Sequence, residues 1–178
     1  MTAYEPIRLS LEEAVKLDGT HTHAAHCLLY HGSGTEVYSL MQMRSDGRLG
    51  FPGGGVEEVC PSITEIVRAL NRELMEEINF EANIGLDSYV MSHLHLTPTK
   101  KLITHFFIKK VHSEDEFKRI EREHSKAPYF PEESLGIFRV PLFPNEPKFF
   151  ANFAQNRFAG NALDQLLEAF DIIRSSNN

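Results

Sequence analysis

Ser62-Ile63-Thr64-Glu65-Ile66-Val67-Arg68-Ala69-Leu70-Asn71-Arg72-Glu73-Leu74-Met75-Glu76-Glu77-Ile78 is the stretch from which the rest of the chain is read. Pro61 precedes it and Asn79 follows it. Ser62 and Glu65 have the spacing of a capping box, in which each side chain satisfies a free amide at the helix start. Asn tolerates the left-handed conformation that closes a helix. The spacing predicts a helix over 62–78, with Ile63, Ile66, Val67, Leu70, Leu74 and Ile78 as its apolar stripe. At about 100° per residue, Glu73, Glu76 and Glu77 share a face beside that stripe, with Glu77 on its edge. A merely solvated acidic face would lie opposite the stripe. Carboxylates spaced i, i+3, i+4 repel by roughly a few tenths of a kcal/mol per pair, and such oxygen donors suit Mg²⁺ or Mn²⁺. A metal site and a charged surface face both fit the spacing.

Upstream lies Phe51-Pro52-Gly53-Gly54-Gly55-Val56-Glu57-Glu58. Three glycines in succession are costly to order. They are expected where backbone must approach a ligand or turn with positive φ, and the run reads as a turn leading into the acidic helix. It is not a Walker phosphate loop, because no Gly-Lys-Ser or Gly-Lys-Thr follows.

The 178 residues suit one domain, 1–178, with a core of ordinary size. No apolar run approaches the ~18 residues of a membrane helix. Met1-Thr2-Ala3-Tyr4-Glu5-Pro6 lacks the basic-then-apolar pattern of a secretion signal. Cys27 and Cys60 do not make a disulfide framework, so a reducing compartment is expected, cytosol or nucleus. The net charge of -7 argues against non-specific binding of duplexes, which requires many phosphate-neutralising cations. It leaves open a grip on one RNA end, and it is compatible with polyphosphate where a divalent ion screens the site.

The other elements follow from period and turn chemistry. A short helix is expected over 9–17, with Ser10 and Glu13 as a capping box. Strands are expected over 24–30 and 36–43, the latter buried on both faces, with turns at 32–34 and 46–50. Further strands are expected over 88–96, 102–111 and 135–142. Residues 113–125 read as a solvated amphipathic helix. A closing helix over 161–173 carries Leu163, Leu166, Leu167, Phe170 and Ile173 on one face. Strands on both sides of a central helix imply an α/β fold, a mixed sheet between helices.

Gly53-Gly54 through Arg72-Glu73-Leu74-Met75-Glu76-Glu77 resembles the signature of the Nudix hydrolases, metal-dependent enzymes that cleave a nucleoside diphosphate linked to another group. The chain departs from that signature in three places. The segment between glycine and arginine is longer than usual, Thr64 stands at the early glutamate position with Glu65 beside it, and Asn79 replaces the terminal glycine. The segments 23–30, 40–54, 70–74, 139–142 and 164–169 resemble the branch of that family that decaps small nucleolar RNA and hydrolyses inosine diphosphate.

The resemblance implies a Nudix fold, an α/β/α sandwich with a mixed central sheet. It implies Mg²⁺ or Mn²⁺, two or more per site, held by Glu73, Glu76, Glu77 and the carbonyl of Gly53 or Gly54. Glu133 matches an extra carboxylate from a later loop. His26, Arg44, Phe51, His93 and Gln165 match substrate contacts for a purine nucleotide or a capped RNA 5' end. By itself a lone strand histidine is more often structural, an ordinary salt bridge would explain Arg44, and core packing would explain Phe51 equally well. The implied reaction cleaves IDP or GDP, or removes a cap to leave methylated GDP and 5'-monophosphate RNA. The implied setting is a homodimer in the nucleus, nucleolus or nucleoplasm, with the cytoplasm open. Alternatives are a Nudix hydrolase of free or protein-linked ADP-ribose, and a catalytically silent binding module.

Overall fold

The computed structural model describes residues 5–17, 19–97 and 101–176. Met1–Tyr4, the start of the segment read for a secretion signal, lie outside them. In chain order the elements are β1 (Ile7–Leu9), α1 (Leu11–Ala14), β2 (Thr22–Ser33), β3 (Glu36–Arg44), β4 (Leu49–Gly50), β5 (Gly53–Val56) and α2 (Ile63–Ile78). There follow β6 (Tyr89–Leu96), β7 (Lys101–Lys110), α3 (Glu114–Glu123), β8 (Ser134–Pro141), α4 (Phe149–Phe153) and α5 (Ala162–Ser176). None of the described helices is long and apolar enough to cross a membrane. Cys27 is buried and Cys60 exposed, each as a free thiol.

One sheet of eight strands organises the chain, in the order β1-β6-β7-β2-β3-β4, with β5 on β2 and β8 on β3. The β2–β7 pair is parallel and the other ladders are antiparallel, so the sheet is mixed as expected. Residues 23–26 of β2 pair with β5, and residues 29–33 pair with β3. Alternation along β2 divides the core between two layers. Ala25, Cys27 and Leu29 pack with Ile66, Leu70 and Leu74 of α2 and with Phe117 and Ile120 of α3. Leu28 packs with Phe51, Phe106 and with Leu166, Ala169 and Ile173 of α5. The result is the α/β/α sandwich.

Helix α2 forms for the reasons its sequence gives. Ser62 Oγ accepts from the Glu65 amide, and Glu65 accepts from the Ser62 amide at 2.7 Å. Asn79 sits at φ 53°, in the left-handed region, and its amide bonds the Met75 carbonyl. Both predicted capping boxes, at Ser10 and at Ser62, are present.

Several boundaries differ from expectation. Gly53–Val56 is a strand, not a turn, because the antiparallel ladder with residues 23–26 extends across it. Ile7–Leu9 pairs with β6, which shortens the first helix to Leu11–Ala14. Gly32 and Ser33 continue β2, and Leu49–Gly50 pairs with β3, so both turns are tighter than read. The buried face of α5 is Ala162, Gln165, Leu166, Ala169 and Ile173, while Leu167 is exposed. The buried set includes a glutamine because that side of the helix borders a cavity. The short α4 was not anticipated. Removing the cap by Ser62→Ala should lower unfolding free energy by about 1 kcal/mol, read from the denaturant midpoint with an unchanged slope.

Candidate active site

The one-face arrangement of the acidic residues resolves into two buried carboxylates and one turned aside. Glu73 and Glu77, one turn apart, are 7% and 2% exposed. Glu77 Oε2 accepts from the Gly53 amide at 2.7 Å and from Gln42 Nε2 at 3.2 Å. Glu73 Oε1 accepts from Arg72 at 2.8 Å. Glu76 is turned toward the same guanidinium, 2.5 Å from Arg72 Nη1. Arg72 also donates to the Gly55 carbonyl at 3.2 Å, tying α2 to β5.

Glu133 arrives from the loop before β8. That loop is fixed by two backbone bonds, Tyr129 N–H to the Glu76 carbonyl and Ser45 N–H to the Glu133 carbonyl, each 3.1 Å. Oxygens of Glu73, Glu77 and Glu133 lie within 4.8 Å of one another. Among the described residues, the Glu133 side chain has no hydrogen-bond partner.

Two glycines permit this approach. Gly53 has φ 129°, and a Cβ there would sit 2.1 Å from the Ala25 carbonyl oxygen. A Cβ on Gly54 would sit 2.4 Å from Glu73 Oε2. Bare backbone therefore separates β2 from α2 at the site.

Burial drives the electrostatics. It raises Glu77 to about 7, against the opposing hydrogen bonds from Gly53 and Gln42, and the charges of Glu73 and Glu133 push the same way. Burial also raises Glu73, partly offset by Arg72. Buried Gln42 Oε1 has no partner. Hard oxygen donors gathered this closely, short of positive charge, fit a divalent cation. Glu73, Glu77 and Glu133 would hold it.

The cluster opens on a cavity of about 710 Å³. His26, Arg44, Phe51 and Gln165 line it together with Gly53 and Gly54. Burial, with Arg44 and His95 nearby, pushes His26 down to about 4, so its imidazole is neutral at pH 7. Phe51 is 2% exposed and packs on Phe106, with ring centroids 5.2 Å apart, so it is both core and cavity wall. Arg44 Nε has no hydrogen bond and lies 3.6 Å from Asp46. Gln165 is buried and its Nε2 has no partner.

His93 and Glu76 are not among the residues lining the cavity. His93 instead bonds Asn161, which does line it. Two further residues at this site, Gln42 and Asn161, were not singled out from sequence. Gln42 carried a signal, being a lone amide in the apolar run Leu40-Met41-Gln42-Met43, where burial demands a partner. Asn161 carried a fainter one, one helical turn before Gln165.

A Nudix hydrolase is defined by this fold and this carboxylate helix. The chain belongs to the Nudt16-like family, described as U8 snoRNA-decapping enzyme-like, whose model matches residues 23–174. It is 37% identical over 177 residues to the U8 snoRNA-decapping enzyme of Xenopus laevis, covering 92% of this chain and 81% of that protein. It is 32% identical over 183 residues to the mouse Tudor-interacting repair regulator protein, covering 97% of this chain and 83% of that protein. Its fold matches the Nudix domain of Shewanella oneidensis NrtR, solved with ADP ribose, at TM-score 0.59 and 14% identity, covering 93% of this chain and 99% of that one. Nudix hydrolases generally use divalent metals.

The raised Glu77 gives a signed prediction. Its folded value of about 7 exceeds the ordinary 4.5, so the folded state holds the extra proton between those values. Metal-free protein should therefore lose stability as pH rises through that window. Mn²⁺ added at pH 8 should restore it, by about 2–4 °C in Tm per kcal/mol recovered. A pH-independent Tm with no Mn²⁺ response would contradict the account.

Proposed function

We propose that the protein uses Mg²⁺ or Mn²⁺ to hydrolyse purine nucleoside diphosphates of the IDP and GDP type, and to remove the 5' cap of an RNA. The observation that carries this reading is one cavity lined both by the carboxylate cluster of Glu73, Glu77 and Glu133 and by His26, Arg44, Phe51 and Gln165. β5 brings no side chain into the cavity at Gly53, Gly54 or Gly55, which line it.

Glu73, Glu77 and Glu133 would hold the metal, with a carbonyl of Gly53 or Gly54. Glu76, paired with Arg72, is the remaining carboxylate of the motif. Bound divalent ions screen the diphosphate and lower the pKa of water. Glu133, without the hydrogen bonds that occupy Glu73 and Glu77, would hold the metal through one carboxylate oxygen and take the proton from the attacking water with the other. Arg44 faces the phosphates, where a guanidinium can form two parallel bonds. Neutral His26 and Phe51 offer ring surfaces to the base, and Gln165 offers a hydrogen bond. Water attacks phosphorus and the P–O bond to the leaving group breaks. IDP gives IMP and phosphate; capped RNA gives methylated GDP and 5'-monophosphate RNA.

A homodimer and a nuclear location, nucleolar or nucleoplasmic with the cytoplasm also open, belong to the same reading and rest on family resemblance. A silent binding module is disfavoured by retention of Glu73, Glu76, Glu77 and Glu133. The test is a product screen with Mg²⁺ and Mn²⁺ on IDP, GDP, ADP-ribose and capped RNA. IDP and capped RNA should be cleaved, and Glu77→Gln should lose about 10²–10⁴-fold in kcat while remaining folded. Cleavage of ADP-ribose alone, or full activity in that variant, would overturn the assignment.

A further inference from the structure

A row of facing residues crosses the sheet on its α2 side. Ser92 of β6 is opposite His105 of β7, His105 is opposite Ala25 of β2, and Ala25 is opposite Gly54 of β5. Residues opposite one another in a ladder share a face. The row ends at Gly54, where a Cβ would sit 2.4 Å from Glu73 Oε2. His23 shares this face, two residues and about 7 Å along β2 from Ala25, and it lines the cavity.

Four side chains on this face form one hydrogen-bonded chain. Tyr89 Oη lies 2.9 Å from Ser92 Oγ, Ser92 Oγ lies 2.8 Å from His105 Nδ1, and His105 Nε2 lies 2.9 Å from His23 Nδ1. Ser92, His105 and His23 are buried, and Tyr89, at the start of β6, is half-buried. Burial, with His23 and His26 nearby, pushes His105 down to about 3. Burial, with His21 nearby, also lowers His23. Both imidazoles are therefore neutral at pH 7, and the charged neighbour at the far end is Arg8, beside Tyr89. A neutral imidazole has one N–H. Both nitrogens of His105 are engaged, so its single proton faces either Ser92 or His23, and that choice sets the direction of every other bond in the chain. In one direction His23 ends the chain with an N–H at Nε2; in the other it ends it with a bare nitrogen. That Nε2 is buried and has no hydrogen-bond partner among the described residues.

We propose that His23 is the general acid for the leaving group of the diphosphate, and that His105, Ser92 and Tyr89 are positioning residues that hold a proton on His23 Nε2 and replace it after each turnover. As the P–O bond breaks, its electron pair goes to the leaving oxygen, which takes the proton from His23 Nε2. The His105 Nε2 proton then passes to His23 Nδ1, the Ser92 hydroxyl proton to His105 Nδ1 and the Tyr89 hydroxyl proton to Ser92 Oγ. A proton from solvent restores the Tyr89 hydroxyl. One proton enters and one leaves, and all four groups are neutral before and after, so no charge is left in a buried row, where it would be costly. Rotation of the two hydroxyls and return of the imidazole protons reset the direction. This inference rests on the diphosphate-hydrolysis reading and extends it, giving the leaving group a proton donor as counterpart to the base Glu133.

The test compares two substrates with Mg²⁺: IDP, whose leaving phosphate gains from a proton, and inosine 5'-phosphorofluoridate, from which fluoride departs without one. His23→Gln keeps a hydrogen-bonding side chain of similar size but cannot pass a proton, and it should lower kcat for IDP by about 10²-fold, the low end of what positioned proton transfer supplies. Its kcat for the fluoridate should be unchanged, a split that damage to the fold would not produce. Ser92→Ala and Tyr89→Phe interrupt the chain with little change of shape, and each should lower kcat for IDP about tenfold, a part of the same contribution, with KM unchanged. Ser92→Thr should restore it. Long-range ¹⁵N–¹H NMR of the histidine rings gives a readout independent of turnover. His23 and His105 should be neutral at pH 7 and of mixed tautomer in wild type, and Ser92→Ala should fix His105 in one tautomer. Equal losses on both substrates, or an unchanged kcat for IDP in folded His23→Gln, would overturn the inference. If wild type cleaves neither substrate, the hydrolase reading fails. Mixed tautomers would then still sustain the relay, and single fixed tautomers would overturn it as well.

Discussion

Two carboxylates buried beneath a strand of bare backbone are the constraint on which this structure depends. Glu73 and Glu77 lie on the buried side of α2, where Leu70, Leu74 and Ile78 also pack. Burying charge is costly unless it is paired and hydrogen-bonded. Glu77 is held by a backbone amide and by Gln42, and Glu73 by Arg72, yet Glu133 brings a third negative group to the same point. The protein accepts strained electrostatics in a place where a cation would relieve it. Such tension between fold and charge is a mark of a functional site.

The glycines make this possible in a way that differs from the expected turn. Gly53 and Gly54 let β5 lie against β2 and α2 at distances that a side chain would prevent. The same bare strand joins the two halves of the cavity. On one side α2 supplies carboxylates; on the other α5 supplies Gln165, with Asn161 at its start. The central strand β2 carries both layers, sending Ala25 and Cys27 toward α2 and Leu28 toward α5.

Much of this was legible in the sequence, for physical reasons. The extent and caps of α2 follow from Ser62, Glu65 and Asn79, whose roles are local. The three-layer arrangement follows from strands flanking a capped amphipathic helix. What escaped was long-range. No local rule says that Gly53–Val56 will find residues 23–26, which makes it a strand. The wheel set the carboxylates beside the apolar stripe but could not distinguish Glu76, drawn off by Arg72, from Glu73 and Glu77. The buried face of α5 was misread because Gln165 is buried by a cavity rather than by a core. Gln42 and Asn161 matter through partners 35 and 68 residues away.

The central claim is that Glu73, Glu77 and Glu133 form a divalent-metal centre at the end of a nucleotide cavity. Anomalous diffraction from crystals grown with Mn²⁺ and IMP addresses it most directly. The account predicts a manganese peak bonded to oxygens of those three residues at about 2.0–2.3 Å, with the purine against Gln165. A manganese peak elsewhere on the chain, with the three carboxylates unligated, would contradict it.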